Sequence, residues 1–431
     1  MSVRKREWTT PKGVAKSAWV VDYTDTAGKR RLKTFAKKKE ADQFAATATV
    51  EVREGTHVAD SASITVAEAG KLWIATGESE GLEQSTINQR ERHLKYHIGP
   101  FIGGTLLSKL NVPAIRAFQD QLRQTPYPDD FLKISMRGKP RTGKMIGIVT
   151  TSLGGILSDS QERGLATRNP VIEMGRKRKG RGRRQEKRNK RKLVVGVDIP
   201  TPAEVKAFVA ALSGRWRPLL LTAVVSGLRS SELRGLRWQD VDFNARTISV
   251  RQRADEFRKI GRPKSEAGER TIPITPGVVN SLKEWRLAYS RPIIGKDQDG
   301  KPVREDARPG HLIFANGNGQ GESHANIINR GLIPAMIAAG ITIDSGNRDE
   351  EGRVIHKAKY TGLHALRHFY ASWLINRPQD GGFGLPLKLV QERMGHSSIT
   401  MTADTYGHLF PRTDDADELA AAEAALLGER V

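Results

Sequence analysis

The amino-acid sequence predicts a multidomain protein that is mainly helical and carries small β-sheets. Three observations support this fold class. At 431 residues the chain is too long for one ordinary hydrophobic core. Apolar residues recur with helical spacing over most of it, and the strict alternation typical of strands is confined to short segments. A strongly basic run near the middle separates two parts that each carry helical periodicity.

The first segment, residues 1–60, is predicted to be an α+β module in which a small sheet packs on a helix. Trp19, Val21 and Tyr23 alternate with polar neighbours, and a turn then leads into a returning strand, which is the pattern of a β-hairpin. A helix is expected over 38–54. Because lysines and arginines cluster around it, this module is either a DNA-reading element or a solvated basic hairpin.

Residues 63–172 are predicted to form an all-α domain of four or five helices. The helical period is clearest over 145–161, where apolar residues keep i, i+3/i+4, i+7 spacing. Between two helices, Gly138–Met145 has the glycine spacing and lysine of a phosphate-binding loop. Met145 occupies the Ser/Thr position of such a loop and no strand precedes it, so we interpret the segment as a basic inter-helix loop near DNA.

The next segment, 173–198, is predicted to be a basic linker. Between Glu173 and Lys192 twelve basic residues stand against two glutamates. Such a run repels itself and extends, so it is either a flexible spacer or a segment that orders on a phosphate backbone. We favour the second interpretation, and the candidate DNA-binding residues are Arg176, Lys177, Arg178, Lys179, Arg181, Arg183, Arg184, Lys187 and Arg188.

Residues 199–431 are predicted to form one mainly helical domain. Thr201, Pro202 and Glu204 make a helix-opening signature of N-cap, first-turn proline and capping-box glutamate. Strands are expected at 247–253 and 270–274, and an exposed polar insertion at 344–354. Helices are expected at 202–213, 216–226, 230–236, 276–289, 324–338, 363–376, 386–394 and 399–406, with an Ala-rich terminal helix at 416–427.

The charge balance points to nucleic acid as the partner. Lys and Arg number 71 against 48 Asp and Glu, which gives a formal net charge of +23. The sequence has no run of about 18 apolar residues, no apolar signal-peptide core and no cysteine. We therefore expect a cytoplasmic protein that binds DNA, without a membrane partner, a disulfide or thiol chemistry.

The C-terminal half contains a set of side chains suited to attacking phosphate without a metal. Cleavage of a phosphodiester requires cations near the non-bridging oxygens, a nucleophile and a proton donor for the leaving oxygen. Arginine offers a permanently charged planar fork, and a tyrosine is a competent nucleophile where neighbouring cations favour its phenolate. The candidate catalytic residues are Arg229, Lys264, His364, Arg367, His396 and Tyr406.

Four stretches around these residues resemble the signature boxes of the tyrosine recombinases, the phage integrase family. In the family's order they are 226–242, His364–His368, Met394–Ile399 and Tyr406–Leu409. Each box alone is modest evidence, but four in order are specific. The resemblance covers 199–412, and the layout upstream is similar to that of phage integrases whose N-terminal domain binds arm sites.

The resemblance implies the family's catalytic fold, which is mainly helical with a small antiparallel sheet. It also implies strand cleavage and religation that needs no metal, ATP or other cofactor. By position, Arg229 and Arg367 would clamp the scissile phosphate, and Tyr406 would form a 3′-phosphotyrosine bond. Because that ester keeps the bond energy, rejoining the strand would need no external energy source.

The resemblance implies three further roles. Lys264, in the turn before the predicted strand 270–274, would match the family's strand-borne lysine and protonate the 5′ oxygen, and Lys259 is the alternative. His364 would handle the tyrosine proton, and His396 would hydrogen-bond the phosphate. Met394 stands where the family usually has leucine, an apolar exchange that we expect to be harmless.

The implied partners are double-stranded DNA at core and arm attachment sites, and three further copies of the chain in a homotetramer. An excisionase and a host DNA-bending protein are further expected partners. The implied activity is integration or excision of a phage or other mobile element. Alternatives are a cellular recombinase that resolves chromosome dimers or plasmids, a type IB topoisomerase, and a DNA-binding regulator without catalysis.

Each candidate residue has a structural alternative. Arg229 could cap a helix and pair with Glu232, and Tyr406 could be an ordinary core tyrosine. His364 and His368 stand at i, i+4 and could form half a metal site, but no third ligand lies at helical spacing. His368 is therefore interpreted as a packing or supporting residue. His408 is either a phosphate contact or a surface histidine.

Overall fold

The computed structural model describes residues 1–11, 13–26, 28–55, 57–176, 192–288, 293–296, 298–304, 308–410, 420 and 423–426. The chain divides into two compact units, Met1–Lys190 and Arg191–Val431. Both are mainly helical with small antiparallel sheets, which confirms the predicted fold class. The finer domain boundaries stay predictions, and the residues predicted for the N-terminal module and the helical domain lie in the same unit.

The N-terminal part of the first unit is a three-stranded antiparallel sheet, ordered β1–β2–β3, with one helix. These elements are β1 (Ser2–Thr9), β2 (Ala15–Thr24), β3 (Arg30–Phe35) and α1 (Lys38–Arg53). Strands β2 and β3 are the predicted hairpin, and Val21, Tyr23 and Ala41 form its small core. Nearly every residue of β1 is exposed, so this strand lacks the apolar alternation that would have predicted it.

The rest of the first unit is helical around a long central helix. The helices are α2 (Val66–Ser79), α3 (Gln84–His93), α4 (Gly99–Ile102), α5 (Val112–Gln124), α6 (Gly143–Glu162) and α7 (Pro170–Arg176). The buried face of α6 includes Val149, Leu153 and Leu157, as its period predicts. Arg141, in the loop that resembles a phosphate-binding loop, is buried and donates to the carbonyls of Tyr96 and Pro126, so part of that loop has a structural function.

The second unit opens with the predicted capping box, in which Thr201 and Glu204 satisfy each other's backbone N–H groups. Its helices are α8 (Pro202–Ala211), α9 (Trp216–Ser226), α10 (Ser230–Gly235), α11 (Pro276–Ala288), α12 (His324–Asn326), α13 (Ile333–Ala338), α14 (Leu363–Ile375), α15 (Leu387–Met394) and α16 (Ile399–Tyr406). In the predicted terminal helix, the described residues Ala420 and 423–426 are helical and exposed.

The strands of this unit form one three-stranded sheet and three hairpins. They are β4 (Val241–Asp242), β5 (Thr247–Val250), β6 (Arg253–Ala254), β7 (Ile260–Gly261), β8 (Arg270–Pro273), β9 (Ile293–Lys296), β10 (Pro302–Arg304), β11 (Thr342–Arg348) and β12 (Val354–Ala358). The sheet is β4–β5–β8, and its β5 and β8 are the two predicted strands. The predicted insertion 344–354 lies within the antiparallel hairpin β11–β12, and most of its residues are exposed.

Helix α14 contributes side chains to two apolar clusters of the second unit. Leu366 belongs to its main apolar core, whereas Tyr370 and Leu374 belong to a second cluster that also contains Tyr406. A helix packed on both sides is held firmly, so side chains that project from it have fixed positions. No helix in the described part of the chain has the length and apolar character needed to cross a membrane.

Candidate active site

The first candidate arginine is placed by a sharp turn between two helices. α9 ends at Ser226 and is capped by Gly227, whose φ of 59° lies in the left-handed region that favours glycine. A β-carbon there would come within 2.3 Å of the Tyr370 ring, so the position has no room for a side chain. The chain then continues so that Arg229 becomes the N-cap residue of α10 with extended backbone.

Glu232 is a buried carboxylate that holds two arginines. The backbone N–H of Arg229 donates to its Oε2 at 2.9 Å, and Arg229 Nη1 donates to its Oε1 at 2.8 Å. Arg270, the first residue of β8, donates from Nη2 to Oε2 at 3.0 Å. Burial alone would raise the pKa of the Glu232 carboxyl, but Arg270 and Arg229 hold that pKa below its usual range. The cap and ion pair expected of a purely structural Arg229 are both present.

The guanidinium groups of both candidate arginines also donate to consecutive backbone carbonyls just before His396. Arg229 Nη2 donates to the Gly395 carbonyl at 2.9 Å. Arg367 Nη2 donates to the Met394 carbonyl at 2.5 Å. The boxes that contain Arg229, Arg367 and His396 are therefore brought together, although more than a hundred residues separate the first from the second.

Arg367 is almost fully buried, with 3% of its surface exposed. Its Nη1 donates to the Gly227 carbonyl, which ties α14 to the turn that places Arg229. Burial and then the neighbouring Arg229 lower the pKa of Arg367 to about 10, so the side chain stays charged at neutral pH. Two like charges held side by side by fixed carbonyls form a preorganised site for an anion.

His396 is a buried, neutral imidazole. Its Nδ1 lies 2.9 Å from the Thr402 hydroxyl, and Gln391 donates to its carbonyl at 2.7 Å. Burial and then Arg367 and Arg229 lower the pKa of His396 to about 4. Its ring is nearly parallel to that of Tyr406, with centroids 6.1 Å apart and an interplanar angle of 7°.

Tyr406, the candidate nucleophile, is the last residue of α16 and is 2% exposed. Its hydroxyl lies 2.8 Å from Nδ1 of His368, on the second turn of α14. Burial raises the pKa of Tyr406 to about 12, although Arg367 and Arg229 act in the opposite direction. The tyrosine is thus a core residue and a neighbour of both candidate arginines at once.

Two of the six candidate catalytic residues lie in exposed positions. His364 on α14 is exposed as a residue, and one side of its ring packs edge-to-face on His368, with centroids 4.9 Å apart. Burial by its neighbours, then Arg367 and Arg229, lower the pKa of His364. Lys264 is exposed between β7 and β8, six residues before Arg270. The catalytic functions of both residues stay predictions.

Three further sequence predictions concern His408, a metal site and the basic run. The Nε2 atom of His408 lies 2.7 Å from the backbone carbonyl oxygen of Leu193. Among the described residues no group of three His, Cys, Asp or Glu is arranged to hold a metal ion. Arg176, the first of the candidate DNA-binding residues, is the last residue of α7, and its side chain is not among the parts that the structure describes. The other candidates in this run also lie outside the described residues: Lys177, Arg178, Lys179, Arg181, Arg183, Arg184, Lys187 and Arg188.

The structure places three residues in the site that the sequence analysis left out of the catalytic set, although it named Glu232 as a possible partner of Arg229 and His368 as a supporting residue. Arg270 adds a third guanidinium, and its Nε donates to the Arg393 carbonyl at 2.8 Å. Glu232 supplies the counter-charge, and His368 contacts the Tyr406 hydroxyl. The spacing from Arg229 to Glu232 was a usable signal, since a carboxylate three residues after an N-cap faces it. No sequence signal pointed to Arg270, whose place depends on strand packing.

Comparisons with known proteins identify similar chains. Residues 200–412 match the model of the Phage integrase family. A XerC-like tyrosine recombinase from Caldanaerobacter subterraneus subsp. tengcongensis is 26% identical over 406 residues, which cover 90% of each chain. The prophage integrase IntR of Escherichia coli is 25% identical over 235 residues, which are 53% of this chain and 51% of that relative.

A solved structure shows the same fold. The integrase of transposon Tn1549, in complex with transposon right end DNA, is matched over 84% of this chain and all of that chain. The TM-score is 0.56 at 19% sequence identity, so the likeness concerns the fold. It agrees with the mainly helical architecture and small antiparallel sheets described above.

Proposed function

Because the chain belongs to the phage integrase family of tyrosine recombinases, we propose that it is a site-specific integrase acting on DNA in a bacterial cytoplasm. It cuts and rejoins DNA strands through a 3′-phosphotyrosine intermediate, and so integrates or excises a phage or other mobile element. The observation that carries this proposal is the meeting of Arg229 and Arg367 at two consecutive carbonyls, within electrostatic reach of Tyr406.

The chemistry follows from the charge distribution. Phosphodiester cleavage builds negative charge on the non-bridging oxygens, and fixed cations stabilise that charge most when they need not reorganise. Arg229 and Arg367 bind the scissile phosphate, and His396 donates a hydrogen bond to it. Tyr406 attacks phosphorus, and Lys264 protonates the departing 5′ oxygen. His364 is the residue that the family resemblance assigns to the tyrosine proton.

The mobile-element function has support from the relatives. The prophage integrase IntR and the integrase of transposon Tn1549 both belong to mobile elements by name. The alternative, a cellular recombinase that resolves chromosome dimers or plasmids, has its own support, because the XerC-like relative covers 90% of this chain. The sequence of the flanking chromosome distinguishes them: an integrase gene lies inside an element bounded by direct repeats of its core site.

The partners follow from the proposed reaction. The helical part of the first unit and the second unit bind core DNA, and the N-terminal module binds arm sites. Four copies of the chain bring two duplexes together and exchange strands in pairs. An excisionase and a host DNA-bending protein set the direction of the reaction.

A covalent-trapping experiment tests the function. Full-length protein is incubated with a nicked duplex carrying the core site, from which the short cleaved strand diffuses away. We expect a protein–DNA adduct that survives denaturation and forms equally in excess EDTA without ATP, because all the groups that act on phosphate are side chains. Absence of an adduct favours a DNA-binding regulator without catalysis, and dependence on a divalent metal contradicts the proposed mechanism.

The basic run gives a second test. We propose that Arg176–Lys192 contacts the phosphate backbone. Replacing six of its basic residues with glutamine is expected to lower the slope of log affinity against log salt by about 0.9 for each lost phosphate contact. The matched control shuffles the order of the residues within the run and keeps its charge, so it should keep the slope. An unchanged slope in the neutralised protein means that the run is only a spacer.

A further inference from the structure

We infer that His368, the residue immediately after the second candidate arginine, accepts the proton of Tyr406 when the tyrosine attacks phosphorus. This inference rests on the proposed function and names a catalytic residue that the family resemblance does not supply. It replaces His364 in that step. The observation behind it is the 2.8 Å distance between the Tyr406 hydroxyl and His368 Nδ1.

The geometry favours His368 over His364. Both histidines lie on α14, one turn apart, so they share a face of the helix. Of the two, it is His368, the deeper one, whose Nδ1 lies within hydrogen-bond distance of the Tyr406 hydroxyl, and its ring centroid lies 5.7 Å from that of Tyr406. His364 lies behind it, edge-to-face and closer to solvent. A base must be within hydrogen-bond reach of the proton that it takes.

The protonation state also suits an acceptor. Burial, then His364 and Arg367, lower the pKa of His368 to about 4, and Asp198 acts weakly in the opposite direction. The imidazole is therefore neutral at neutral pH. With Tyr406 donating to Nδ1, the remaining ring proton lies on Nε2. The other charged or titratable groups around the pair are Arg229 and His396, both of which belong to the phosphate-binding side of the site.

Binding of DNA raises the pKa of His368, which favours transfer of the tyrosine proton to it. The scissile phosphate brings a negative charge between Arg229 and Arg367, which offsets the positive charge that lowers the pKa of His368. The proton affinity of Nδ1 rises when substrate is bound. The pKa of His368 still lies far below that of Tyr406, so the proton moves as the new bond to phosphorus forms and not before.

The Tyr406 oxygen forms a bond to phosphorus, and its proton passes to His368 Nδ1. The bond between phosphorus and the 5′ oxygen breaks, and that oxygen takes a proton from an acid, for which Lys264 is the candidate. In religation a 5′ hydroxyl attacks the phosphotyrosine and gives its proton back to the candidate acid Lys264, the bond between phosphorus and the Tyr406 oxygen breaks, and His368 returns its proton to that oxygen.

The test is the pH dependence of single-turnover adduct formation by wild-type protein and two variants, His368→Asn and His364→Asn. His368→Asn keeps an oxygen acceptor near the position of Nδ1 but cannot take a proton, so we expect a loss of about 10²- to 10³-fold. The wild-type rate should fall in acid as the DNA-bound imidazole becomes protonated. The variant should lack that acid limb and rise with pH as Tyr406 ionises. His364→Asn should keep the wild-type profile, whatever its rate.

A second substrate distinguishes the residue that accepts the tyrosine proton from the residue that protonates the leaving oxygen. Sulfur in place of the bridging 5′ oxygen gives a leaving group that needs no proton. This substrate should restore the rate of adduct formation in the Lys264→Ala variant but not in the His368→Asn variant. Added imidazole should partly restore His368→Ala, a result that a merely misfolded protein would not give.

Three outcomes overturn the inference. A His368→Asn rate within threefold of wild type shows that the proton goes elsewhere. A lower rate with an unchanged acid limb shows that His368 only positions the tyrosine. Loss of the decrease in rate at acidic pH in the His364→Asn variant identifies His364 as the residue that accepts the tyrosine proton. If the wild-type protein forms no adduct on either substrate, the proposed function fails first and the inference fails with it.

Discussion

Replacing Tyr406 with phenylalanine is expected to abolish covalent attachment of the protein to DNA and to leave DNA binding in place. The substitution removes the proposed nucleophilic oxygen and keeps the ring that packs in the cluster of Tyr370, Leu374 and Met394. The lost hydrogen bond to His368 costs about 1 kcal/mol of stability, too little to unfold the domain. The measurement is adduct formation on the nicked duplex, together with a gel-shift titration of affinity.

The matched control is Tyr370→Phe. Tyr370 is as deeply buried as Tyr406 and belongs to the same cluster, so the variant tests the general effect of removing a buried phenol there. It should retain the adduct, whereas Tyr406→Phe should not. An adduct formed by Tyr406→Phe contradicts the assignment of the nucleophile, and loss of affinity in that variant indicates that the ring itself contacts DNA or supports a surface that does.

The second large effect is expected for Glu232→Gln. This change keeps the shape of the side chain but removes the negative charge that pairs with Arg229 and the buried Arg270. Removing one member of a buried ion pair leaves the other charges uncompensated, so we expect a loss of about 3 kcal/mol of stability at pH 7. Adduct formation should fall at least tenfold, because Arg229 loses the contact that orients its guanidinium.

The pH dependence of that stability loss identifies its cause. The pKa of Glu232 in the folded protein is below its usual range, so the stabilisation is present above the unfolded pKa and is lost as pH falls through the folded pKa. The difference between wild type and Glu232→Gln should therefore narrow in acid, as measured by thermal unfolding of the full chain at several pH values. A constant difference would indicate a packing effect.

Glu269→Gln is the control for this experiment. Glu269 precedes Arg270 in the chain, but its side chain is exposed, so the same change of charge is screened by water. We expect a stability change within about 0.5 kcal/mol and normal adduct formation. If both glutamine variants lose equal stability, the net charge of the region and not the buried ion pair is responsible.

The sequence predicted the parts of the site that depend on local spacing. Arg229 at a helix N-cap, and Arg367 and His368 on one helix, follow from short-range patterns. Which of two histidines one turn apart reaches Tyr406 depends on the packing of α16 against neighbouring helices, and a single sequence does not encode that distance in any local pattern. Arg270 was missed for a similar reason, since its direction depends on the register of β8 against β5.

The fold was predicted best where one face of an element is buried. Helix α6 and strand β2 have clear periodicity because their buried positions are apolar. β1 and the hairpin β11–β12 are mostly exposed on both faces, so their residues were free to be polar and gave no alternation. For such strands the backbone pairing itself, and not a hydrophobic pattern, defines the structure.

The hydrogen bond between His408 and the Leu193 carbonyl joins two distant points of the chain. Leu193 follows the last lysine of the basic run, and His408 follows Tyr406 by two residues. Leu193 also packs against the cluster that buries the tyrosine ring. The end of the predicted linker is therefore hydrogen-bonded close to Tyr406, the proposed nucleophile. A movement that displaces Leu193 must either move the end of α16 with it or break the hydrogen bond to His408.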